Sequence, residues 1–285
     1  NEKKYTAIIG ETPSKGARSP KLWNRAYNKF NIKCKMYPFD VYENNLKKLI
    51  KNLKKDKKFV GGSVTAPYKE KIIKYLDNIS YESKIIGSIN TIIKKDDKII
   101  GENTDYHGVI NTLKKIINKK KILILGCGGA GKAVILATIK NFNKSKIFIY
   151  NRNQSRILKF INNLEISKNI KVLNNLKQTK KLKNLDLIIN TTSVGFDSWI
   201  KKNKKFENSK FFSPISNLNN IVNSNKKNEI EFLKNNLMLI MKNQKETYKF
   251  LYQNKKALVF DIIYNPVQTQ LLYQAKMCNM KNING

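Results

Sequence analysis

Residues 121–131 constrain this chain most: Lys-Ile-Leu-Ile-Leu runs straight into Gly126-Cys-Gly-Gly-Ala-Gly131. A short, unbroken apolar run is the pattern of a strand buried on both faces, as in a parallel sheet. Apolar positions from Lys132 to Ile139 then take helical spacing. In a strand–turn–helix of this kind, Gly126 permits the tight turn and Gly128 lets the backbone approach a pyrophosphate. Gly131 allows the helix to pack close to the strand, and Gly129 and Ala130 complete a loop whose helix N-terminus faces phosphate. The flanking elements are what lift this Gly-x-Gly-x-x-Gly pattern above a structural glycine turn.

The same alternation continues downstream. Residues 146–150 and 185–190 have strand patterns, 155–164 is helical, and a last strand is expected at 257–263 before a helix at 269–278. This predicts a doubly wound, Rossmann-type domain. The first third also alternates, with strands expected at 5–10, 33–38, 59–65, 88–93 and 98–102, and helices at 22–30, 44–55 and 69–76. That predicts a mixed α/β domain. At 285 residues the chain suits two domains. The expected division is 1–105, then 106–265, with 266–285 returning as a helix to the first domain. A Lys/Asn-rich insertion near 197–256 carries no chemistry and is expected to be a solvated excursion.

The end of the second Rossmann strand selects the nucleotide. An NAD-binding chain typically offers Asp or Glu there, to bind the ribose 2′-hydroxyl. Here the residues are Tyr150-Asn151-Arg152-Asn153-Gln154-Ser155-Arg156. Asn151, Arg152 and Arg156 replace an acid with two guanidinium groups, which suit a 2′-phosphate that a carboxylate would repel. The predicted cofactor is NADP.

Charge invites a different class of function. The sequence holds 56 Lys and Arg against 20 Asp and Glu, a net charge of +36, and such a balance can mark nucleic-acid binding. The lysines, however, are spread over nearly every expected helix and loop, among equally abundant Asn and Ile. Skewed codon usage accounts for that, so no specific nucleic-acid partner is expected. No run of about 18 apolar residues suggests a membrane span. The three cysteines, Cys34, Cys127 and Cys278, share no metal-ligand spacing with the single His107. A cytoplasmic monomer or homodimer without metal is expected.

Three polar clusters fall at expected strand ends: Ser63-Val-Thr65-Ala-Pro-Tyr-Lys69, Gly87-Ser-Ile-Asn90-Thr91 and Gly101-Glu-Asn-Thr-Asp105. With the glycine loop, Asn151-Arg152, Asn190-Thr-Thr192-Ser193-Val-Gly195 and Asp261-Ile-Ile-Tyr264-Asn-Pro-Val-Gln-Thr269-Gln-Leu271, they form an ordered set. Together these motifs resemble the shikimate dehydrogenase family, from about Gly10 to Gly285. The resemblance implies that 1–105 is a substrate-binding catalytic domain and 106–265 an NADP-binding one. It implies reduction of 3-dehydroshikimate to shikimate, with Lys69 and Asp105 as the catalytic pair. A Lys ammonium beside the reacting oxygen can protonate the alkoxide that hydride delivery creates.

The resemblance further implies that Thr65, Asn90 and Asp105 grip substrate hydroxyls, that Tyr264 stands on the substrate side, and that Thr192, Ser193 and Gly195 line the nicotinamide side. Three departures stand out. The family's Ser-x-Ser before proline, which binds the substrate carboxylate, is here Ala17-Arg18-Ser19-Pro20, so Ser19 remains and Arg18 is the candidate to compensate. Tyr106 and His107 follow Asp105 in place of the usual small residue, and His107 is expected to be structural. The chain stops at Gly285, before the Gln-bearing helix with which the family normally continues. Alternatives are a quinate/shikimate or aminoshikimate dehydrogenase, and a non-catalytic nucleic-acid-binding protein on the same fold.

Overall fold

The computed structural model describes residues 4–162, 164, 169–202, 205–218 and 220–285. The chain divides into two compact units, Asn1–Asn111 and Thr112–Gly285. No described helix is long and apolar enough to cross a membrane.

The first unit is built on β1 (Lys4–Gly10), β2 (Cys34–Asp40), β3 (Phe59–Val64), β4 (Asn78–Ile79), β5 (Thr91–Lys95) and β6 (Lys98–Glu102). Their order is β2-β1-β3-β5-β6-β4. β1 pairs parallel with β2 and β3, whereas β5 runs antiparallel to both β3 and β6. The β5–β6 hairpin turns at Asp96, in the left-handed region at φ 55°, where an Asp is tolerated. Among the described residues, the α-helices that accompany the sheet are α1 (Ser19–Lys29), α2 (Leu46–Lys55), α3 (Tyr68–Lys71) and α4 (Tyr81–Ile86), and α5 (Thr104–Leu113) begins in this unit. α2 shows how the lysine-rich sequence still folds. Leu46, Ile50 and Leu53 recur on one face and are buried in a core with Ile9, Phe59 and Val64, while Lys47, Lys48 and Lys51 stay exposed.

The second unit follows the βαβ alternation: β7 (Lys121–Leu125), α6 (Gly129–Asn141), β8 (Lys146–Tyr150), α7 (Gln154–Asn162), β9 (Ile170–Leu173), α8 (Leu176–Lys180) and β10 (Leu187–Asn190). A hairpin of β11 (Trp199–Lys202) and β12 (Lys205–Asn208) comes next, then α9 (Glu229–Tyr252), β13 (Leu258–Asp261), α10 (Gln270–Met277) and β14 (Asn282–Asn284). The sheet order is β14-β13-β10-β7-β8-β9, and every pairing in it is parallel. The chain leaves β7 toward β8 and β9, then returns to the other side of β7 with β10. The switch point of this doubly wound sheet therefore lies between β7 and β10.

Three features of the structure bear on the expected organisation. The boundary at 105 falls inside α5, which runs unbroken because Val109 and Leu113 bury successive turns of one helix. Residues 266–285 do not stand apart from the second unit. α10 packs on α9, β13 and β14, because Leu271, Leu272 and Ala275 enter the second unit's core, and β14 adds an edge strand to its sheet. Nor is 197–256 merely a solvated excursion. Phe212, Phe232 and Ile240 form a small core there with Trp199 packed on it, and Phe250 and Leu251 of α9 enter the main core.

Asparagine explains how a Lys/Asn-rich stretch becomes ordered. Asn243, buried on α9, accepts from Ser213 N at 2.9 Å and donates to Ser213 O at 3.0 Å. Asn236 does the same with Val222, at 2.8 and 2.9 Å. Each amide thus satisfies a loop's N–H and C=O together, which a loop crossing a core otherwise lacks. Replacing Asn243 by Leu keeps the volume but orphans both groups. We expect Asn243→Leu to lower the second unit's stability by about 2–5 kcal/mol, checked by urea unfolding followed through Trp199 fluorescence.

Candidate active site

In the first unit the ends of β3, β5 and β6 bring three sequence-selected residues together. The backbone makes this possible: Ile89 N donates to Lys69 O at 2.7 Å, Val64 N to Asn90 O at 2.8 Å, and Asn90 N to Glu102 O at 3.1 Å. Lys69 on α3, Asn90 just before β5 and Asp105 in the first turn of α5 consequently converge. Lys69 Nζ stands 3.9 Å from Asp105 Oδ2, with both side chains a little over one-third exposed, at 38% and 37%. The other carboxylate oxygen, Oδ1, accepts from Asn90 Nδ2 at 2.8 Å. One oxygen of Asp105 is therefore pinned by an amide, and the other faces the ammonium.

Asn90 is itself held. Its Oδ1 accepts from Thr104 N at 2.9 Å, Thr104 Oγ1 at 3.1 Å and Thr91 Oγ1 at 3.1 Å. Thr91 and Thr104 belong to the quoted motifs but carried no assigned role; their contribution emerges only when the strand ends meet. Thr65 is half-buried nearby on the β3–α3 connection, with its amide bonded to Ile9 O at 2.9 Å and its carbonyl accepting from Tyr68 N at 3.0 Å. Ser19 opens α1 and Arg18 occupies its N-cap position with an exposed side chain. His107 is exposed and edge-on to Tyr106, at 5.4 Å between ring centroids.

The second unit carries the nucleotide features. Gly126 leaves β7 at φ 106°, a value costly for any side chain. A Cβ there would lie 2.5 Å from Thr191 Oγ1, and one at Gly131 would lie 2.8 Å from the same atom. A Cβ at Gly128, by contrast, would meet nothing within 4 Å. Two glycines are thus required by the fold, whereas the third opens a space at the N-terminus of α6. Such a space, lined by backbone and the start of a helix, fits a pyrophosphate. Around it, burial pushes the Cys127 thiol up to about 11, opposed by the positive charges of Lys132 and Arg156.

No carboxylate stands at the end of β8. Arg152 and Arg156 are exposed, Asn151 is half-buried, and Asn153 Oδ1 caps α7 by accepting from Ser155 Oγ at 2.7 Å and Arg156 N at 3.2 Å. These residues fit a 2′-phosphate at that strand end. Thr192 is fixed to Asn190 Oδ1 through its amide at 3.0 Å and hydroxyl at 2.8 Å, and Ser193 is exposed. Tyr264 is 56% exposed, its ring 5.9 Å from that of Phe196. The candidate residues accordingly fall into two groups, one in each unit.

Comparison with known proteins adds an independent finding. Residues 8–92 match the family profile of the shikimate dehydrogenase substrate binding domain, and 110–211 that of shikimate / quinate 5-dehydrogenase. A shikimate dehydrogenase (NADP(+)) of Alkaliphilus oremlandii is 32% identical over 293 residues, covering 100% of this chain and 87% of that protein. The chain belongs to the shikimate dehydrogenase family. A second family member, from Pelagibacter ubique, is 35% identical over 269 residues, 90% of this chain and 92% of its own. Among solved structures, the shikimate dehydrogenase of Aquifex aeolicus matches with a TM-score of 0.69 at 29% identity, over 99% of this chain and 86% of that one. A shikimate dehydrogenase crystallised with NADP+ matches with a TM-score of 0.69 at 28% identity, over 99% and 84%.

The glycine geometry separates folding from binding. Gly126→Ala should destabilise the second unit, through positive φ and contact with Thr191. Gly128→Ala should leave the melting temperature within about 2 °C of the parent's while weakening NADP+ binding at least about tenfold. Thermal melts with and without NADP+ check both expectations.

Proposed function

We propose that this chain reduces 3-dehydroshikimate to shikimate with NADPH. The observation that carries this is the Lys69–Asp105–Asn90 cluster in a chain whose relatives over nearly its full length are named as NADP(+)-dependent shikimate dehydrogenases. Bound NADPH supplies the hydride. As the ketone carbon accepts it, the carbonyl π pair moves to oxygen, and Lys69 donates a proton from its ammonium to that oxygen. The neutral amine then recovers a proton from solvent, to which its side chain is 38% exposed.

Asp105 keeps the ammonium aimed and accepts a hydrogen bond from a substrate hydroxyl. Asn90 and Thr65 take the remaining ring hydroxyls. Ser19 and Arg18, at the start of an 11-residue helix, receive the substrate carboxylate; the guanidinium replaces the hydroxyl donor that Ala17 lacks. Tyr264 contributes on the substrate side. In the cofactor domain, Gly126 to Gly131 admit the pyrophosphate, Arg152 and Arg156 with Asn151 hold the 2′-phosphate, and Thr192 and Ser193 contact the nicotinamide end. The protein acts in the cytoplasm as a monomer or homodimer, with no specific nucleic-acid partner.

The Arg18 substitution favours a second reading, in which quinate is also a substrate, since a carboxylate on a more substituted ring carbon would still meet a guanidinium. Comparing NADP-linked oxidation of shikimate and quinate decides between them; a clear quinate preference overturns the first.

Lys69→Ala should lower kcat by about 10²- to 10⁴-fold with NADP+ affinity unchanged, and persisting turnover would remove Lys69 from its role. Arg18→Ala should raise the KM for shikimate while leaving kcat near the parent's. Arg152→Ala with Arg156→Ala should cost NADP+ about 10- to 100-fold in affinity and leave NAD+ binding unchanged. Steady-state kinetics and fluorescence titration measure these effects.

A further inference from the structure

Asp261, the last residue of β13, has no solvent exposure, and it is the only charged residue in the buried set among the described residues. Burying a carboxylate is costly, and burial pushes its pKa up to about 6. Its partners, all neutral, come from three separate segments. Oδ1 accepts from Asn190 Nδ2 at 3.0 Å and from Ile263 N at 3.1 Å. Oδ2 accepts from Thr269 Oγ1 at 2.7 Å, and Thr269 in turn caps α10 through Leu272 N at 3.3 Å.

The consequences run toward the ligand end of the sheet. A carboxylate only accepts, so it turns the NH2 of Asn190 toward itself and the amide oxygen the other way. That oxygen is the acceptor for both the amide and the hydroxyl of Thr192. Thr192 Oγ1 then accepts from Val194 N at 3.2 Å, which folds the loop bearing Ser193. The same carboxylate oxygen, Oδ1, also holds the amide of Ile263, directly before Tyr264. A helix cap alone needs none of this, because the Thr269 hydroxyl already caps α10.

We propose that Asp261 is a positioning residue for the reaction: through Asn190 it sets the 191–195 loop that contacts the nicotinamide end of the cofactor, and through Ile263 it sets Tyr264. This rests on the NADP-dependent activity proposed above. Asp261 touches neither substrate nor cofactor; it acts through the two loops that it joins.

The test uses the full chain and four variants. Asp261→Ala removes all three acceptor contacts and should lower kcat per active site by about 10- to 100-fold, the scale of a misplaced reacting group. Binding of adenosine 2′,5′-bisphosphate, which probes only the adenosine end, should match the parent's, while the emission of bound NADPH, which reports on the nicotinamide, should shift. Asp261→Asn should restore most of kcat, since its amide oxygen can take the place of Oδ1. Asn190→Ala, which cuts the link and leaves the cap, should repeat the loss and serves as the decisive variant if Asp261→Ala does not fold. Asn254→Ala removes a buried amide bonded to Leu185 N, Leu182 O and Phe250 O; it should lower the melting temperature and leave kcat per active site unchanged.

If Asp261→Ala and Asn190→Ala behave like Asn254→Ala, with lower stability but parental kcat and NADPH emission, the positioning role is wrong. If the parent binds NADPH but does not turn over shikimate, the proposed reaction fails, and the NADPH emission of the same variants still decides the role of Asp261.

Discussion

The second unit depends on one hydroxyl group. Thr191 follows β10 and donates to Leu125 O at 2.9 Å across the switch point, while its amide donates to the same carbonyl at 2.8 Å. Its Oγ1 also fills the space that a side chain at Gly126 or Gly131 would need. The turn out of β7, the seating of α6 and the divergence of β7 from β10 are therefore one packing problem with one solution. Divergence at that point leaves the space beside Gly128 that a phosphate can enter. The local glycine pattern and the distant threonine have meaning only together.

The first unit solves its problem through polar contacts between strand ends. Asn90 has its backbone in the ladder between β3 and β6, and its side chain collects donors from Thr91 and Thr104 while orienting Asp105. The ion pair with Lys69 is half-exposed and long, so it contributes little to stability. Backbone bonds between the strand ends fix the elements that carry the ammonium and the carboxylate, the preorganisation that the proposed proton transfer requires.

The surplus of positive charge has a plain structural counterpart. The net charge is +36, and no lysine or arginine is in the buried set among the described residues, so their positive charges sit where water screens them and leave the core untouched. Asparagine, which shares lysine's abundance, behaves differently. Asn236 and Asn243 pair with loop backbone inside the second unit, and Asn24 pairs with the backbone of the edge strand β2 in the first, bonding Met36 N at 2.7 Å and Met36 O at 3.1 Å. At these positions a compositional bias is put to structural use, an amide satisfying backbone that a loop or a sheet edge leaves unpaired. That use is invisible in composition, since an exposed and a buried Asn look alike in a sequence.

Local pattern was enough for the parts whose physics is local. The apolar run at 121–125 with its glycines marked β7 and its turn into α6, the absent acid beside Arg152 and Arg156 pointed to NADP, and the ordered motifs picked out Lys69 and Asp105, which the structure brings to 3.9 Å. The tertiary structure decided which face meets which partner. α10 and β14 joined the second unit because its core had room for Leu271, Leu272 and Ala275. α9 runs unbroken from Glu229 to Tyr252, with its buried Asn236 and Asn243 tied to loop backbone outside the helix. Asn190 and Asp261 are 71 residues apart, and nothing in either motif says that they touch. Hydrophobic period and turn chemistry report the few residues around them, whereas a hydrogen bond across a parallel sheet exists only after the crossovers have brought two strands side by side.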